Sequence, residues 1–390
     1  MRIVPTKLTK VGMRLGRPVM DAEGRLVLAA GVTLRQRYIE LLVDQGYASV
    51  YIADDLDQIE LPEVVSLETR QEVIRCVVDF VGTGLIKGLG PLRPVRGGPN
   101  NAKGDFLFGG KPGGRPNPEL AAKVTRVARM IVDDILSQKD VVIGLLDIKS
   151  LHDYTYAHSV QVALIAMTAA KVMGFNKNDI LDLGIGSLLH DVGKVAVPDY
   201  IWTKPDHLTP EEFSQVKLHS QAGFDFLRKS DVGLLPAHVA FQHHERWNGT
   251  GYPRGLKGEQ ILKLARLCAV CDVYDAITSD RPYKEAVHPS AALAFLSEKS
   301  GTLFEPTAVE AVRAVVAPYP VATNVILSTG ETAVVKKINN ADLYRPVVVV
   351  TRDRDRRYYK TRREIDLSQE LDISVVDYFT SYDSADAADA

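Results

Sequence analysis

The chain has 390 residues, enough for two or three domains, and its hydrophobic content of 46% and charged content of 25% are typical of globular proteins. A formal net charge of −2 excludes an overall field that would attract nucleic acid or an anionic membrane. The three cysteines indicate a reducing compartment, and neither a signal peptide nor a long apolar segment is evident. We therefore expect a cytoplasmic protein with no nucleic-acid or membrane partner.

Residues 1–64 predict a small α/β domain. The turn-forming run 21–24 separates two apolar runs, as in a β-hairpin. Leu34, Ile39 and Leu42 then recur at helical spacing, and residues 49–52 predict a further strand. These elements together indicate an independent unit at the start of the chain.

Residues 65–118 predict one helix followed by a linker. Ser66 is a suitable N-cap for a helix from about Leu67 to Phe80. The run 82–116 is rich in Gly and Pro, and its few charged residues are mostly basic. Such a segment cannot bury enough apolar area to become ordered. We interpret it as a mobile, solvated linker, although its positive charge is also compatible with contact to a phosphate-bearing ligand.

Residues 119–317 predict an all-helical domain. Helical periodicity runs through 120–136, 154–173, 180–189 and 262–278. The run Thr209-Pro210-Glu211-Glu212 has the N-cap, the first-turn proline and the acidic third residue of a helix start.

From residue 318 onward the pattern changes to short strands bounded by Gly330 and Asn339-Asn340. This predicts a C-terminal β module and tail over 318–390. The expected fold class is therefore multidomain and mainly α, with small β-containing units at both ends.

Five of the nine histidines fall into one constellation within the helical region. Imidazole and carboxylate bind borderline transition metals, which activate water for hydrolysis. A metal centre in a helical bundle is assembled from single residues on facing helices. The pattern therefore predicts a metallohydrolase that uses His158, His190, Asp191, His219, His243, His244 and Asp272.

His190 and Asp191 are adjacent at the end of one predicted helix, so their side chains diverge by about 100°. They can share one ion only where the helix terminates, or serve two ions with the carboxylate bridging. Lys194 follows one turn further on, close to both residues.

The motifs His190-Asp191-x-x-Lys194, His243-His244 and Gly251-Tyr252-Pro253 occur in this order and resemble those of the HD-GYP family, a branch of the HD phosphohydrolases. The likeness runs from about Tyr154 to Phe304. It implies an all-helical HD-type catalytic domain over 119–317 that hydrolyses cyclic di-GMP, a bacterial second messenger. Residues 1–64 and 320–380 likewise resemble the small domain and the β extension that often flank this module.

The resemblance also implies a ligand set for two divalent transition metals roughly 3.5–4 Å apart. Carboxylate–imidazole sites of this kind suit Fe and Mn. One metal would be held by His158, His190, Asp191 and Asp272. Asp191 would bridge to a second metal held by His219, His243 and His244. Asp275, one turn after Asp272, would orient a ligand from behind.

Substrate contacts follow from the same resemblance. Lys194 would lie near the activated water and the phosphate, which makes Asp191 and Lys194 the catalytic residues. Arg281 and Lys284 would anchor phosphate, since a guanidinium matches phosphate oxygens with two hydrogen bonds. The loop Gly251, Tyr252 and Pro253 would lie against a guanine base, with the glycine and the proline setting its backbone.

One position departs from part of the family. Some members carry a glutamate four residues before the first histidine, where it helps to recruit a third metal, and Tyr154 occupies that position here. A phenol with a pKa of about 10 is a poor ligand near neutral pH. The sequence therefore predicts a binuclear centre.

The expected activity is hydrolysis of cyclic di-GMP to linear pGpG, with GMP as a further product left open. Two alternatives remain at this point. One is an HD phosphohydrolase for another cyclic dinucleotide such as cyclic GMP–AMP, and the other is a weakly active cyclic di-GMP receptor or interaction module. A homodimer and signalling protein partners are compatible with each.

Overall fold

The computed structural model describes residues 1–21, 25–47, 49–53, 65–82, 93–94, 106–107, 118–138, 142–143, 154–202, 204, 207–279 and 286–379. In this part of the chain, helices fill the middle of the sequence and strands lie mainly at its two ends. The predicted mainly α fold class is confirmed.

The N-terminal unit is a small α/β structure with its own hydrophobic core. Its elements are β1 (Arg2–Pro5), β2 (Arg14–Leu15), β3 (Val19–Met20), β4 (Leu26–Leu28), α1 (Gln36–Asp44) and β5 (Ser49–Ala53). Strands β1, β5 and β2 form an antiparallel sheet in this order, and β3 pairs with β4 on either side of the predicted turn. Leu15, Leu34, Leu42 and Val50 are buried between these elements.

Two long helices come next, α2 (Leu67–Gly82) and α3 (Pro118–Ser137). The hydroxyl of Ser66 accepts a hydrogen bond from the amide of Thr69 at 3.1 Å, as expected of the predicted N-cap. The apolar face of α2 packs into the main helical core, where Phe80 contacts Phe226 edge-to-face. The buried residues of α2 therefore share one hydrophobic cluster with those of the later helices.

Most of the predicted linker lies outside the described residues. Its described part is one short antiparallel pair, β6 (Arg93–Pro94) with β7 (Phe106–Leu107). The interpretation of 82–116 as a mobile linker, and the domain boundaries drawn around it, stay predictions.

The main helical core is completed by α4 (Tyr154–Val172), α5 (Lys177–Leu188), α6 (Asp199–Trp202), α7 (Pro210–Leu227), α8 (Leu234–Gln242), α9 (Lys263–Thr278), α10 (Pro289–Glu298) and α11 (Pro306–Val315). Helix α4 packs against α5 and α9, while α7 packs against α8 and a short 3₁₀ helix, Val192–Ala196. Most buried hydrophobic residues of these helices form one continuous cluster, while Ile201 of α6 and Val216 of α7 form a smaller cluster with Val197. None of the described helices is long and apolar enough to cross a membrane.

Local sequence signals explain where several of these helices begin and end. The predicted capping box is present at α7, where Thr209 and Glu212 exchange side chain–backbone hydrogen bonds of 3.2 and 2.8 Å. Gly174 follows α4 with a φ of +73°, a left-handed conformation that glycine adopts without steric cost.

The C-terminal unit is a five-stranded antiparallel sheet. Its strands are β8 (Asn324–Leu327), β9 (Thr332–Lys337), β10 (Val347–Arg352), β11 (Tyr358–Asp366) and β12 (Val375–Phe379), in the order β11-β10-β9-β8-β12. The charged run that begins at Arg352 joins β10 to β11 and leaves β11 as an edge strand. Val325, Leu327, Val348 and Val350 are buried in the core of this sheet.

Candidate metal centre

The seven predicted ligand side chains come together from five helical elements. His158 lies on α4, His219 on α7 and Asp272 on α9. His190 and Asp191 lie between α5 and the 3₁₀ helix, where helix α5 has just ended, and His243 and His244 follow the last residue of α8. Six of the seven side chains are buried, and His244 is partly exposed.

Asp191 stands between two groups of imidazoles. Its Oδ2 atom lies 3.3 Å from Nε2 of His190 and 3.9 Å from Nε2 of His158. Its Oδ1 atom lies 3.5 Å from Nε2 of His219 and 3.9 Å from Nε2 of His243. The carboxylate thus presents one oxygen to each group, as a ligand that bridges two ions would.

Asp272 completes the first group and borders the second. Its Oδ1 atom lies 3.2 Å from Nε2 of His158 and 3.9 Å from Nε2 of His190. Its Oδ2 atom lies 3.8 Å from Nδ1 of His244. Two compact sets of ligand atoms result, one from His158, His190 and Asp272 and the other from Asp191, His219, His243 and His244.

Backbone carbonyls orient three of the imidazoles. In each, Nδ1 lies 2.6–2.8 Å from the carbonyl oxygen three residues earlier, so Nδ1 carries the proton and Nε2 keeps its lone pair for the centre. The pairs are His190 with Ser187, His219 with Val216, and His243 with Ala240.

His158 is oriented by a carboxylate instead. Its Nδ1 atom lies 2.7 Å from Oδ2 of Asp275, which also accepts a hydrogen bond from the hydroxyl of Ser279 at 3.3 Å. A carboxylate behind a metal-binding histidine fixes its ring and makes it more basic. Asp275 therefore lies where the sequence predicted an orienting residue.

The residues present fit a divalent metal centre. Nε2 of His190 is buried and makes no hydrogen bond to any residue that the structure describes, although it faces the carboxylates of Asp191 and Asp272. A buried nitrogen without a partner carries a large desolvation cost, which a bound ion would remove. Mixed imidazole and carboxylate donors suit divalent transition metals.

At most of the ligands the electrostatics favour the protonation states that metal binding needs. At His190 burial lowers the pKa, but the carboxylates of Asp191 and Asp272 together raise it above its ordinary value. Burial holds the pKa of His243 and His244 well below its ordinary value, so both rings are neutral at pH 7. Burial alone would raise the pKa of Asp191, but Lys194 and His190 hold that pKa well below the usual range. Asp272 keeps a similarly low pKa against its burial, because His158 bonds it and His244 lies close.

Lys194 lies beside this centre. Its ammonium contacts Oδ2 of Asp191, and its side chain is partly exposed. The 3₁₀ helix that follows Asp191 returns the chain toward the carboxylate and brings Lys194 within reach. A positive charge here is available to a phosphate that approaches from solvent.

The loop around Gly251 packs tightly against the two adjacent histidines. A Cβ atom on Gly251 would lie 2.4 Å from both the amide nitrogen of Arg246 and the carbonyl oxygen of His244, so only glycine fits. The amide of Tyr252 donates to the carbonyl of His244 at 3.1 Å, and the Tyr252 ring packs against the His244 ring with centroids 4.7 Å apart. The predicted substrate loop therefore borders the centre directly, with Pro253 exposed beyond Tyr252.

A buried glutamate that the sequence reasoning did not identify holds this loop. Glu245 accepts hydrogen bonds from the amides of Arg254 and Leu256, at 2.8 and 2.9 Å, one on each carboxylate oxygen. Its position directly after two metal-binding histidines is the signal that could have identified it. Glu245 ties the end of the loop to the start of the ligand-bearing segment.

Three sequence predictions cannot be placed. Arg281 and Lys284 lie outside the described residues, and so does the side chain of Tyr154. The phosphate-anchoring roles and the binuclear rather than trinuclear centre stay predictions.

Family comparisons agree with this geometry. Residues 140–308 match the model of the HD domain, and residues 324–387 match that of a KOW domain associated with the HD domain. The HD match includes all seven candidate ligands, and the KOW match covers all five strands of the C-terminal sheet. The resemblance to HD phosphohydrolases predicted from the motifs is confirmed.

Several curated proteins are similar to this chain. A cyclic di-GMP phosphodiesterase of Pseudomonas aeruginosa is 38% identical over 63% of this chain and 59% of its own length. A cyclic di-GMP phosphodiesterase response regulator of Xanthomonas campestris is 41% identical over 40% of this chain and 42% of its own length. The 3′3′-cGAMP-specific phosphodiesterase 3 of Vibrio cholerae is 35% identical over 42% of this chain and 35% of its own length.

These matches span less than two thirds of each of the three relatives, so they describe the shared region rather than whole proteins. In that region the motifs, the helical fold and the family model agree. This chain carries an HD domain at residues 140–308, followed by a KOW domain of the kind associated with it.

Proposed function

We propose that this chain is a metal-dependent phosphodiesterase that hydrolyses cyclic di-GMP to linear pGpG in second-messenger signalling. The main support for the proposal is that the two oxygens of the Asp191 carboxylate face different groups of histidines. Oδ2 faces His190, and Oδ1 faces His219. Phosphodiester hydrolysis is the chemistry that a paired centre performs well, because two ions act on the attacking and leaving oxygens together.

The ions, when bound, would supply Lewis-acid activation of water and of a phosphoryl oxygen. The chain's own residues do the rest. The backbone carbonyls that bind Nδ1 of His190 and of His219 fix both rings, so that Nε2 of each ring already faces the other ligand side chains. Lys194 places a partly exposed ammonium against Asp191, where it would attract the phosphate and neutralise developing charge.

The choice of a cyclic dinucleotide rests on two supports. The relatives named above act on cyclic di-GMP or 3′3′-cGAMP, according to their names. In this chain the loop of Gly251, Tyr252 and Pro253 lies directly beside the ligand side chains, with an aromatic ring for a base to approach. Hydrolysis onward from pGpG to GMP would use the same groups.

Cyclic GMP–AMP is the second candidate substrate. It is favoured by the 35% identity to the 3′3′-cGAMP-specific phosphodiesterase 3 of Vibrio cholerae. A receptor with little turnover is less favoured, because the described residues include the full set of seven ligand side chains. Fe or Mn is our proposal for the ions, since mixed imidazole and carboxylate donors suit both.

We place the activity in the cytoplasm. Cys76, Cys268 and Cys271 are all buried free thiols, and burial raises the pKa of Cys76 to about 11. Thiols that stay protonated and enclosed are compatible with a reducing compartment.

The test is turnover of cyclic di-GMP by protein of measured metal content, together with Asp191→Ala and His190→Ala. We expect pGpG from the wild type, two ions per chain, and a loss of both product and metal in the variants. Metal-loaded wild-type protein that binds cyclic di-GMP without turnover would overturn the proposal in favour of a receptor. Turnover of cyclic GMP–AMP at a kcat/KM well above that of cyclic di-GMP would favour the second substrate.

A further inference from the structure

Two residues of α7, Phe213 and Lys217, lie beside the Tyr252 ring. The rings of Phe213 and Tyr252 meet edge-to-face with centroids 6.2 Å apart. The ammonium of Lys217 lies 4.6 Å from the Phe213 centroid and 5.8 Å from the Tyr252 centroid. His219 is two residues further along the same helix, and its ring lies 6.4 Å from that of Tyr252.

This arrangement continues the series of ring contacts outward from the ligand side chains. The sequence of contacts runs from the ligand His244 to Tyr252 at 4.7 Å, and from Tyr252 to Phe213 at 6.2 Å. A phosphodiester held at the ligand side chains would therefore direct an attached base toward Phe213 and Lys217.

Both α7 side chains are available to a ligand. Phe213 is 43% exposed, so part of its ring is open to a ligand, and Lys217 is partly exposed. Among the described residues, Lys217 has no carboxylate within ion-pair distance, so its hydrogen-bond donors are not engaged by a counter-charge there. Its contact with Phe213 holds the ammonium near the ring by a cation–π interaction.

We propose that Phe213 and Lys217 form the subsite for a guanine base of the cyclic dinucleotide. The base packs against the exposed part of the Phe213 ring, and the Lys217 ammonium donates hydrogen bonds to O6 and N7 of guanine. This inference rests on the proposed phosphodiesterase function and adds a determinant of base selectivity to it.

The chemistry favours guanine over adenine at this position. Guanine presents two acceptors, O6 and N7, on the edge that a lysine reads, whereas adenine replaces O6 with the N6 amino donor. An ammonium has three donors and no acceptor, so it faces a donor in adenine. Glutamine can pair with N6 and N7 of adenine, so Lys217→Gln would remove the preference for guanine.

The test uses full-length, metal-loaded protein with three substrates, cyclic di-GMP, cyclic GMP–AMP and cyclic di-AMP. We expect Lys217→Gln to lower the ratio of kcat/KM for cyclic di-GMP to that for cyclic di-AMP about tenfold, the size of one good base contact. Phe213→Ala should raise KM about tenfold for each substrate through lost stacking, and Phe213→Tyr should restore it. Lys229→Gln, an exposed lysine just beyond α7, is the matched control.

Cyclic GMP–AMP provides a sharper readout. If the guanine of cyclic GMP–AMP occupies the subsite, only one of the two phosphodiesters of this substrate reaches the metal centre. The wild type then forms mainly one linear isomer. Lys217→Gln should then give a mixture of pApG and pGpA. An equal mixture from the wild type, or ratios unchanged in Lys217→Gln, would overturn the inference while leaving the phosphodiesterase intact.

Dissociation constants for cyclic di-GMP and cyclic di-AMP, measured by calorimetry, make the test independent of turnover. Absence of hydrolysis by the wild type would count against the proposed function. A guanine preference in binding that is lost in Lys217→Gln would still support the subsite. Equal affinities for both ligands in wild type and variant would contradict it.

Discussion

Gly193 lies directly against the backbone of His219. A Cβ atom on Gly193 would be 2.0 Å from the carbonyl oxygen of His219 and 2.4 Å from the amide nitrogen of Gly223. The 3₁₀ helix that follows Asp191 thus approaches α7 as closely as two backbones can. This contact fixes how near the segment that follows Asp191 comes to the helix that carries His219.

Gly193→Ala should therefore displace one side of the metal centre from the other. Because the obstacle is backbone, it cannot move aside as a side chain would, and we expect the free energy of unfolding to fall by about 2–3 kcal/mol. Metal bound per chain should fall as well. Urea denaturation and elemental analysis measure the two effects. Gly223→Ala is the control, since its Cβ would meet its nearest neighbour at 3.4 Å, an ordinary contact; an equal loss in both variants would contradict the explanation.

Asp275→Asn should weaken metal binding without removing a metal ligand. Asp275 contacts Nδ1 of His158 at 2.7 Å, and loss of its charge makes that imidazole less basic and less firmly oriented. We expect a 10–100-fold rise in the dissociation constant of Mn²⁺, as such orienting residues typically show. Isothermal titration calorimetry with Mn²⁺ measures this dissociation constant. Asp133→Asn, in an exposed ion pair with Lys177, should leave the constant unchanged.

Glu245→Gln should loosen the loop that contains Tyr252. The carboxylate accepts two backbone hydrogen bonds, from Arg254 and Leu256, and a glutamine amide presents a donor to one of these amides instead. We expect the free energy of unfolding to fall by about 1–3 kcal/mol and KM for cyclic di-GMP to rise, while metal content is retained. Glu259→Gln, an exposed glutamate nearby, is the control. Loss of metal from Glu245→Gln would show that the residue supports the centre itself.

His288 should make stability depend on pH. It is buried at the start of α10, its Nδ1 accepts a hydrogen bond from the amide of Ser290 at 3.3 Å, and its ring stacks on Tyr378 of β12 with centroids 3.5 Å apart. Burial lowers its pKa to about 4, although the nearby Asp377 carboxylate opposes this. The unfolded chain, with an ordinary histidine pKa of about 6.5, therefore binds the extra proton between these two values.

The contribution of neutral His288 to stability is thus complete above about pH 6.5 and is lost as the pH falls toward about 4. The loss is about 3–4 kcal/mol at most, since each pKa unit corresponds to about 1.4 kcal/mol. Denaturant titrations of wild type and His288→Asn at pH 7 and pH 4 isolate this term, because asparagine also caps a helix but does not titrate. A difference between the two proteins that is the same at both pH values would exclude His288 as the source.

Local signals predicted much of this fold. Periodicity placed α4, α5 and α9 within a few residues of their observed ends, and the Thr209 capping box marked the first turn of α7. These features depend on residues a few positions apart, so a linear pattern contains them. Strands β11 and β12 are harder to predict from the sequence, because charged and exposed side chains interrupt their alternation of apolar and polar residues.

The sequence by itself determined the types of the ligands and their order along the chain, and with them the expectation of a metal centre for phosphodiester hydrolysis. The tertiary structure decided how the oxygens of Asp191 are divided between two groups, and how closely Gly193 approaches His219. It also brought Phe213 and Lys217 of α7 beside Tyr252. Such relationships join elements far apart in sequence, and their distances depend on how whole helices pack, which no local pattern contains.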